Sequence, residues 1–185
     1  MSKTYNLTTP LTVNDTKQLK SGDIVYLNGT LFTARDAAHK RLVDLIEAGE
    51  ELPFDLKGSV IYFVGPTPPK PGEPIGSAGP TTSYRMDSYS PSMLKNGSLG
   101  MIGKGKRNQD VKDACKKYGG IYFGATGGAG ALLGKQIKSA KVVAYPELGP
   151  EAVREIEVEN FPVTVINDTY GNDLYQEGRA KYEVK

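Results

Sequence analysis

A continuous apolar run, Ser59–Val64 (SVIYFV), most restricts the folds open to this 185-residue chain. A strand of this kind is buried on both faces, as in a parallel sheet with other layers above and below it. Two further runs of strand length, Ser98–Ile102 and Ile121–Phe123, lie on either side of a helical stripe at Asn108–Tyr118. Strands that alternate with helices in this way predict a single α/β domain.

Turn and cap signals divide the first half of the chain. Asn28-Gly29 is a strong hairpin signal and predicts two paired strands, Asp23–Leu27 and Thr30–Thr33. An amphipathic helix is predicted from Asp36 to Ala48, because its apolar residues recur at helical spacing and Gly49 follows them.

The other segments are predicted from the same kinds of signal. Thr81 or Thr82 is expected to cap a helix that extends toward Met93, and the polar tail from Gln176 is expected to fray. A short helix is predicted at Pro150–Arg154. The remaining predicted strands are Lys141–Tyr145, Ile156–Glu159 and Pro162–Asn167. These bring the expected total to six or more strands with three or four helices.

Composition argues against several classes of protein. With 23 basic and 21 acidic residues, the charge is too even for a nucleic-acid binder that relies on bulk electrostatics. No apolar run approaches the length of a membrane span, and MSKTYNLTTP lacks the apolar segment of a secretory signal. One cysteine allows no internal disulfide, so we expect a cytoplasmic protein. One cysteine and one histidine are also too few for an iron–sulfur or structural zinc centre within this chain.

Three basic residues stand in separate loops and suggest an anion site. Arg35 lies at the entrance of the helix predicted from Asp36, and Arg85 follows the hydroxyls of Thr81 and Thr82 in a loop of small residues. Lys104 lies between two glycines at the end of a predicted strand. Loops of this composition let a ligand approach the backbone, although ordinary turns with solvated side chains remain an alternative.

Two further features each leave two interpretations open. His39 lies one helical turn after Arg35 and can face it, or it can be a half-buried structural histidine. The glycine-rich segment Gly124–Gly130 follows a strand, which is typical of nucleotide sites, but its spacing lacks the dinucleotide fingerprint. We prefer tight packing for it, and a nucleotide-binding domain remains a competing hypothesis.

Longer motifs carry a resemblance to a known family. GPTTSYRMDSY and GKGKR, with TARDAAHKR upstream and YPELGPEAVREIEVENFPVTVINDTYGNDLY downstream, resemble the β subunit of class I fumarate hydratases. The L-tartrate dehydratase β subunit has a similar layout. The resemblance runs from about Leu7 to about Tyr175, and in this family the same sequence also forms the C-terminal half of a longer enzyme. It implies one swivelling β/β/α domain over residues 1–185, packed against a partner that carries the cofactor.

The resemblance also implies roles for individual residues. Arg35, Arg85 and Lys104 correspond to ligands for the carboxylates of fumarate or L-malate, with His39 and Thr82 as further substrate-binding residues. Thr81 corresponds to the candidate catalytic base, with Lys104 stabilising its alkoxide. If Thr81 only hydrogen-bonds the substrate, the base has to come from the partner.

Cofactor, partner and substrate follow from the same resemblance. A [4Fe–4S] cluster on a partner α subunit would bind the substrate hydroxyl as a Lewis acid, so we expect a hetero-oligomer whose β chain alone is inactive. Tyr84 and Lys106 depart from the residues common at these positions in fumarases, which puts the preferred diacid in doubt. The alternatives are a dehydratase for L-tartrate or another hydroxy-diacid, and a non-catalytic anion-binding module.

Overall fold

The computed structural model describes residues 1–125 and 130–183, which form a mixed sheet of seven strands with six α-helices. The strands are β1 (Thr4–Thr8), β2 (Ile24–Thr33), β3 (Val60–Tyr62), β4 (Gly100–Gly103), β5 (Ile121–Gly124), β6 (Ile137–Ala144) and β7 (Val153–Asn167). The helices are α1 (Val13–Lys17), α2 (Asp36–Glu47), α3 (Ser90–Lys95), α4 (Gln109–Tyr118), α5 (Gly130–Lys135) and α6 (Leu174–Tyr182). A 3₁₀ turn covers Ser83–Met86, and two such turns joined by a kink at Gly149 cover Pro146–Glu151.

The sheet has a parallel part and an antiparallel part that share two long strands. β2, β3, β4 and β5 are parallel neighbours, so their carboxyl ends lie at one edge. β7 runs antiparallel to β2, β5 and β6, and its pairing with both β2 and β5 closes five strands into a ring. The closed ring gives two sheet layers, and helices on the outside of the parallel strands give a third. The α/β prediction is confirmed, with the layering of a swivelling β/β/α domain.

β3 separates two hydrophobic cores. Val60 and Tyr62 pack into the core between the sheet layers, which includes Leu27 of β2 and Phe161 of β7. The alternate residue Ile61 packs into a second core beneath the helices, with Leu42 of α2, Met93 of α3 and Val111 of α4. All of these side chains are at most 2% exposed, so the prediction of a strand buried on both faces is confirmed.

The predicted hairpin at Asn28-Gly29 is wrong, because β2 continues through these residues as one strand of 10 residues. β1 pairs in parallel with the first half of β2, and β7 follows its opposite edge, shifting register between Leu27 and Gly29. Gly29 adopts φ of 100°, and a Cβ there would lie 2.8 Å from Thr9 Oγ1. The glycine therefore marks a bulge rather than a turn.

Several predicted boundaries also differ from the structure. The two last predicted strands are one continuous β7, with Asn160 at φ of 49° where the prediction has a break. The segment at Pro150–Arg154 is not a helix, because a 3₁₀ turn ends at Glu151 and the chain then enters β7. No long helix starts at Thr81 or Thr82; a 3₁₀ turn comes first, and α3 begins only at Ser90.

The tail is helical through Tyr182, so for the described residues the prediction of fraying from Gln176 is wrong. Asp173 caps α6 by accepting a hydrogen bond from Tyr175 N at 2.9 Å, and it pairs with Lys112 of α4 at 2.6 Å. Ser21 Oγ donates to the Glu177 carboxylate at 2.9 Å, which ties the helix to the start of β2. These long-range contacts stabilise a segment whose own sequence is polar.

Candidate active site

The carboxyl edge of the parallel strands brings together the predicted basic loops. Arg35 follows β2, and Lys104 follows β4 directly. Between them, Thr81 N donates to the Phe63 carbonyl at 2.7 Å, just beyond β3, and Ser83 N donates to the Lys104 carbonyl at 2.8 Å. The loop that carries the threonines therefore extends the sheet at the edge where α/β folds bind their ligands.

Arg35 has an incomplete set of hydrogen bonds. Its side chain lies against Gly65, where a Cβ would come within 2.5 Å of Arg35 Nη1 and would displace the guanidinium. Within the described residues, Arg35 Nε is buried without a hydrogen-bond acceptor, and Glu151 Oε1 lies 3.9 Å away. A buried, unpaired N–H of a guanidinium is unfavourable by about 1–3 kcal/mol or more. This position therefore favours an anionic ligand as the missing acceptor.

Arg85 is oriented by an acidic residue of α2. Its Nε donates to Asp36 Oδ1 at 3.1 Å, and its side chain remains 46% exposed. In the described part of the chain, no hydrogen bond engages its two Nη atoms. The outer fork of the guanidinium is therefore available for a bidentate contact with a carboxylate.

Lys104 lies on a backbone segment next to the one that carries Thr81 and Thr82. Thr82 and Lys104 form an isolated parallel bridge, and Lys104 N donates to the Thr81 carbonyl at 3.3 Å. Lys104 is exposed, and no carboxylate of the described residues lies within 4.0 Å of its ammonium. The site thus combines an unpaired cation with two half-buried hydroxyl side chains.

His39 lies in the core rather than at this edge. It is 1% exposed, with its ring 5.3 Å from that of Phe63 and 6.0 Å from that of Tyr89. Its Nδ1 is 2.8 Å from the Arg35 carbonyl, which can only accept, so Nδ1 carries the proton. Burial lowers the pKa of His39 to about 4, so the ring is neutral at pH 7. A direct substrate contact by His39 stays a prediction that this geometry does not favour, whereas its bond to Arg35 supports the start of α2.

An ion pair beneath the site was missed by the sequence predictions. Arg107 is fully buried, and its Nε donates to Asp87 Oδ1 at 2.6 Å. Its Nη2 donates to Ser90 Oγ at 2.6 Å, and Asp87 Oδ2 accepts from Asn108 N at 2.9 Å. The pair joins the loop of Arg85 to the loop of Lys104. Both residues belong to the quoted motifs, but their pairing across 20 positions has no local signal.

The residues of this chain do not fit an iron–sulfur cluster. Its one thiol, Cys115, is buried on the core face of α4, and burial raises its pKa to about 12. Among residues 1–125 and 130–183, no group of three or more histidine, cysteine or acidic side chains lies close enough to hold a metal ion. A cluster requires several thiolates, which one buried thiol cannot supply.

Residues 1–178 match the model of the family described as fumarase C-terminus. The chain belongs to this family. It is 50% identical over 153 residues to the anaerobic class I fumarate hydratase of Escherichia coli K12. This match covers 82% of this chain and 28% of the relative. Fumarate hydratase 2 of Leishmania major is 47% identical over 165 residues, covering 88% of this chain and 29% of that protein.

Another relative matches this fumarase C-terminus domain over nearly its whole length. The putative L(+)-tartrate dehydratase subunit beta of Methanocaldococcus jannaschii is 42% identical over 187 residues, covering 98% of this chain and 94% of the relative. The chain therefore spans less than a third of each of these two fumarate hydratases, but almost all of this subunit. The resemblance to both kinds of enzyme is confirmed.

Two other expectations meet the limits of the described residues. Residues 126–129 of the glycine-rich segment lie outside them, so the preferred tight packing of Gly124–Gly130 and the competing nucleotide site are both untested. In the part that is described, no helix is long and apolar enough to cross a membrane.

Proposed function

We propose that residues 1–185 form the substrate-binding β part of a class I fumarate hydratase, a hydro-lyase that interconverts fumarate and L-malate. One observation supports this proposal: the backbone segments of Arg35, Arg85 and Lys104 reach the same sheet edge, where the segment of Lys104 pairs with that of Thr81 and Thr82. A four-carbon dianion needs at least two well-placed cations, and this edge offers three. Membership of the fumarase C-terminus family supports the assignment.

The two arginines are suited to the substrate carboxylates. Arg35 has an unsatisfied, buried Nε, and Arg85 has a free outer fork because Asp36 occupies its Nε. Each can form charge-assisted hydrogen bonds, which are about twice as strong as neutral ones. We assign to Arg35 and Arg85 the binding of the diacid, with Thr82 as a further hydrogen-bonding group.

Thr81 and Lys104 are assigned to the proton step. Dehydration of malate removes a proton from C3 and expels hydroxide from C2. We propose that a Thr81 alkoxide accepts the C3 proton and becomes a hydroxyl, while the electron pair left on C3 forms the double bond. A threonine alkoxide is unstable at neutral pH unless a cation stabilises it, and Lys104 lies on the neighbouring backbone segment.

The cofactor is assigned to a second subunit. Class I fumarate hydratases are iron–sulfur enzymes, and the residues described here do not fit such a cluster. We propose that an α subunit holds a [4Fe–4S] cluster and completes the site in a hetero-oligomer. We assign the complex to the cytoplasm, since the one thiol of this chain is free and buried, as is usual in a reducing compartment.

A second candidate is the β subunit of an L-tartrate dehydratase. The observation that favours it is the match over nearly the full length of the Methanocaldococcus jannaschii subunit. Both reactions remove water from a hydroxy-diacid, so the same three cations would serve either substrate. A non-catalytic anion-binding module would use them without any partner.

The test is anaerobic co-expression with a cluster-bearing α subunit, followed by assays with fumarate, L-tartrate and mesaconate. We expect fumarate to be hydrated with the highest kcat/KM of the three. Faster turnover of L-tartrate would favour the second candidate, and hydratase activity of the purified single chain would contradict the two-subunit proposal. Diacid binding by the single chain, with no activity in any assembly, would favour the anion-binding module.

Two substitutions separate catalysis from binding in the assembled enzyme. Thr81→Ala should lower kcat by about 100- to 10,000-fold with little change in KM, since the base acts in the transition state. Thr81→Ser is the matched control and should retain part of the rate. Arg85→Met should instead raise KM by about 10- to 100-fold, because a charge-assisted contact is lost. If Thr81→Ala raised only KM, Thr81 would be a binding residue and the base would belong to the partner.

A further inference from the structure

A buried hydroxyl group beneath the candidate site joins its two loops. The hydroxyl of Tyr122, on β5, lies 2.8 Å from Ser83 Oγ and 2.8 Å from the Gly105 carbonyl oxygen. The carbonyl can only accept, so Tyr122 donates to Gly105 and accepts from Ser83. Ser83 stands two residues after Thr81, and Gly105 follows Lys104 directly. One phenol group therefore bridges the loop of the candidate base and the loop of the cation beside it.

The surroundings of this hydroxyl allow it little freedom. Tyr122 is 0% exposed and sits on a central strand, so its ring is fixed by packing. Burial raises the pKa of Tyr122, so the phenol keeps its proton and remains a donor at physiological pH. A Cβ on Gly103 would lie 1.9 Å from Ser83 Oγ, which shows how closely the two loops pack at this point.

We propose that Tyr122 is a positioning residue that fixes the Thr81 hydroxyl relative to the Lys104 ammonium. This inference rests on the proposed function, which gives those two groups the proton step. Transfer between positioned groups depends steeply on geometry, and a displacement of about 1 Å can lower a rate about 100-fold. Substrate binding should depend less on the same hydroxyl, because Arg35 lies on another loop, against Gly65, and Asp36 holds Arg85 from α2.

The first test is Tyr122→Phe in the assembled enzyme, which removes one oxygen and keeps the ring. We expect kcat to fall about 10- to 100-fold while KM changes less than about threefold. The matched control is Ser98→Ala, which removes another buried hydroxyl, bonded to the Ser59 carbonyl at 3.1 Å. Ser98 precedes β4 and so lies at the opposite edge of the parallel strands. This control should lower stability without changing kcat.

A second measurement does not depend on activity. Amide hydrogen exchange of the isolated chain reports on the bonds that Ser83 N and Lys104 N donate across the two loops. Both amides should exchange faster in Tyr122→Phe and at the wild-type rate in Ser98→Ala. Ser83→Ala keeps the bond to Gly105 and should give a smaller loss of kcat, which also tests the inference if Tyr122→Phe folds poorly.

The outcomes distinguish this inference from the function on which it rests. If the wild-type assembly converts none of the diacids, the proposed function fails, and with it any catalytic role for Tyr122. If the wild type is active and Tyr122→Phe keeps its kcat, the positioning role is overturned. Equal losses of kcat in Tyr122→Phe and Ser98→Ala, or unchanged exchange at Ser83 and Lys104, would also overturn it.

Discussion

Replacing Asp87 with asparagine should destabilise the isolated chain by about 3–5 kcal/mol, the usual effect of removing one partner of a buried ion pair. Arg107 is 0% exposed at its side chain, its Nε lies 2.6 Å from Asp87, and a guanidinium does not give up its proton. Asparagine keeps the shape of the side chain but removes the compensating charge. The remaining partners are all neutral: the Ser90 hydroxyl, Met101 Sδ at 3.3 Å, and the rings of Phe63 and Tyr122, 5.2 and 4.8 Å from the guanidinium carbon.

The assay is the free energy of unfolding from urea titration, compared with the effect of breaking an exposed pair. Lys40 and Asp44 lie 2.9 Å apart, but their side chains are 65% and 58% exposed, so Lys40→Met should leave the urea midpoint close to that of the wild type. The double variant Asp87→Asn, Arg107→Met removes both charges and should be less destabilised than the sum of its single variants. A loss below about 1 kcal/mol for Asp87→Asn, or strict additivity in the double variant, would refute the reasoning.

Two further predictions concern stability. His39 has a pKa of about 4 in the folded chain and 6.5 in the unfolded chain. Between these pH values the unfolded chain binds more protons, so the free energy of unfolding falls by up to about 3 kcal/mol as the pH decreases. Urea midpoints of wild type and His39→Gln between pH 7 and about pH 4.5 measure this difference, and an equal decline in both would contradict it. Gly103→Ala should cost about 1–3 kcal/mol, because its Cβ would lie 1.9 Å from Ser83 Oγ. The control is Gly178→Ala, whose Cβ meets nothing within 4 Å, and an equal change in Tm for the two variants would argue against the close contact.

Signals contained within one segment predicted the fold well. The apolar run at β3 indicates a strand covered on both sides, and the structure places it between two cores. The helix at Asn108–Tyr118 is confirmed with its cap, since Asn108 Oδ1 accepts from Val111 N at 3.0 Å. The hairpin prediction at Asn28-Gly29 failed because pairing along the whole of β2 outweighs a local turn preference. The prediction that the tail frays failed for a similar reason, because α6 depends on contacts with distant residues.

For the site, the sequence located the loops but not what lies beneath them. The three basic residues lie where the sequence predicted them, each after a strand or a small-residue loop: Arg35, Arg85 and Lys104. The Asp87–Arg107 pair and the Tyr122 hydroxyl depend on which loops meet in three dimensions, and no spacing rule reports that. His39 shows the converse, because helical spacing places it near Arg35 without revealing that the ring points into the core.

The pairing of β2 with β7 has a consequence for how the chain folds. Thr33 Oγ1 accepts a hydrogen bond from Arg154 N, although the two residues are 121 positions apart. The ring of strands therefore cannot close until almost the whole domain has been synthesised, and contacts of such long range slow folding. Until β7 arrives, β2 exposes an unpaired edge of apolar, β-branched residues that favours aggregation. We therefore expect slow refolding, and poor solubility for any version of the chain that ends before Val153.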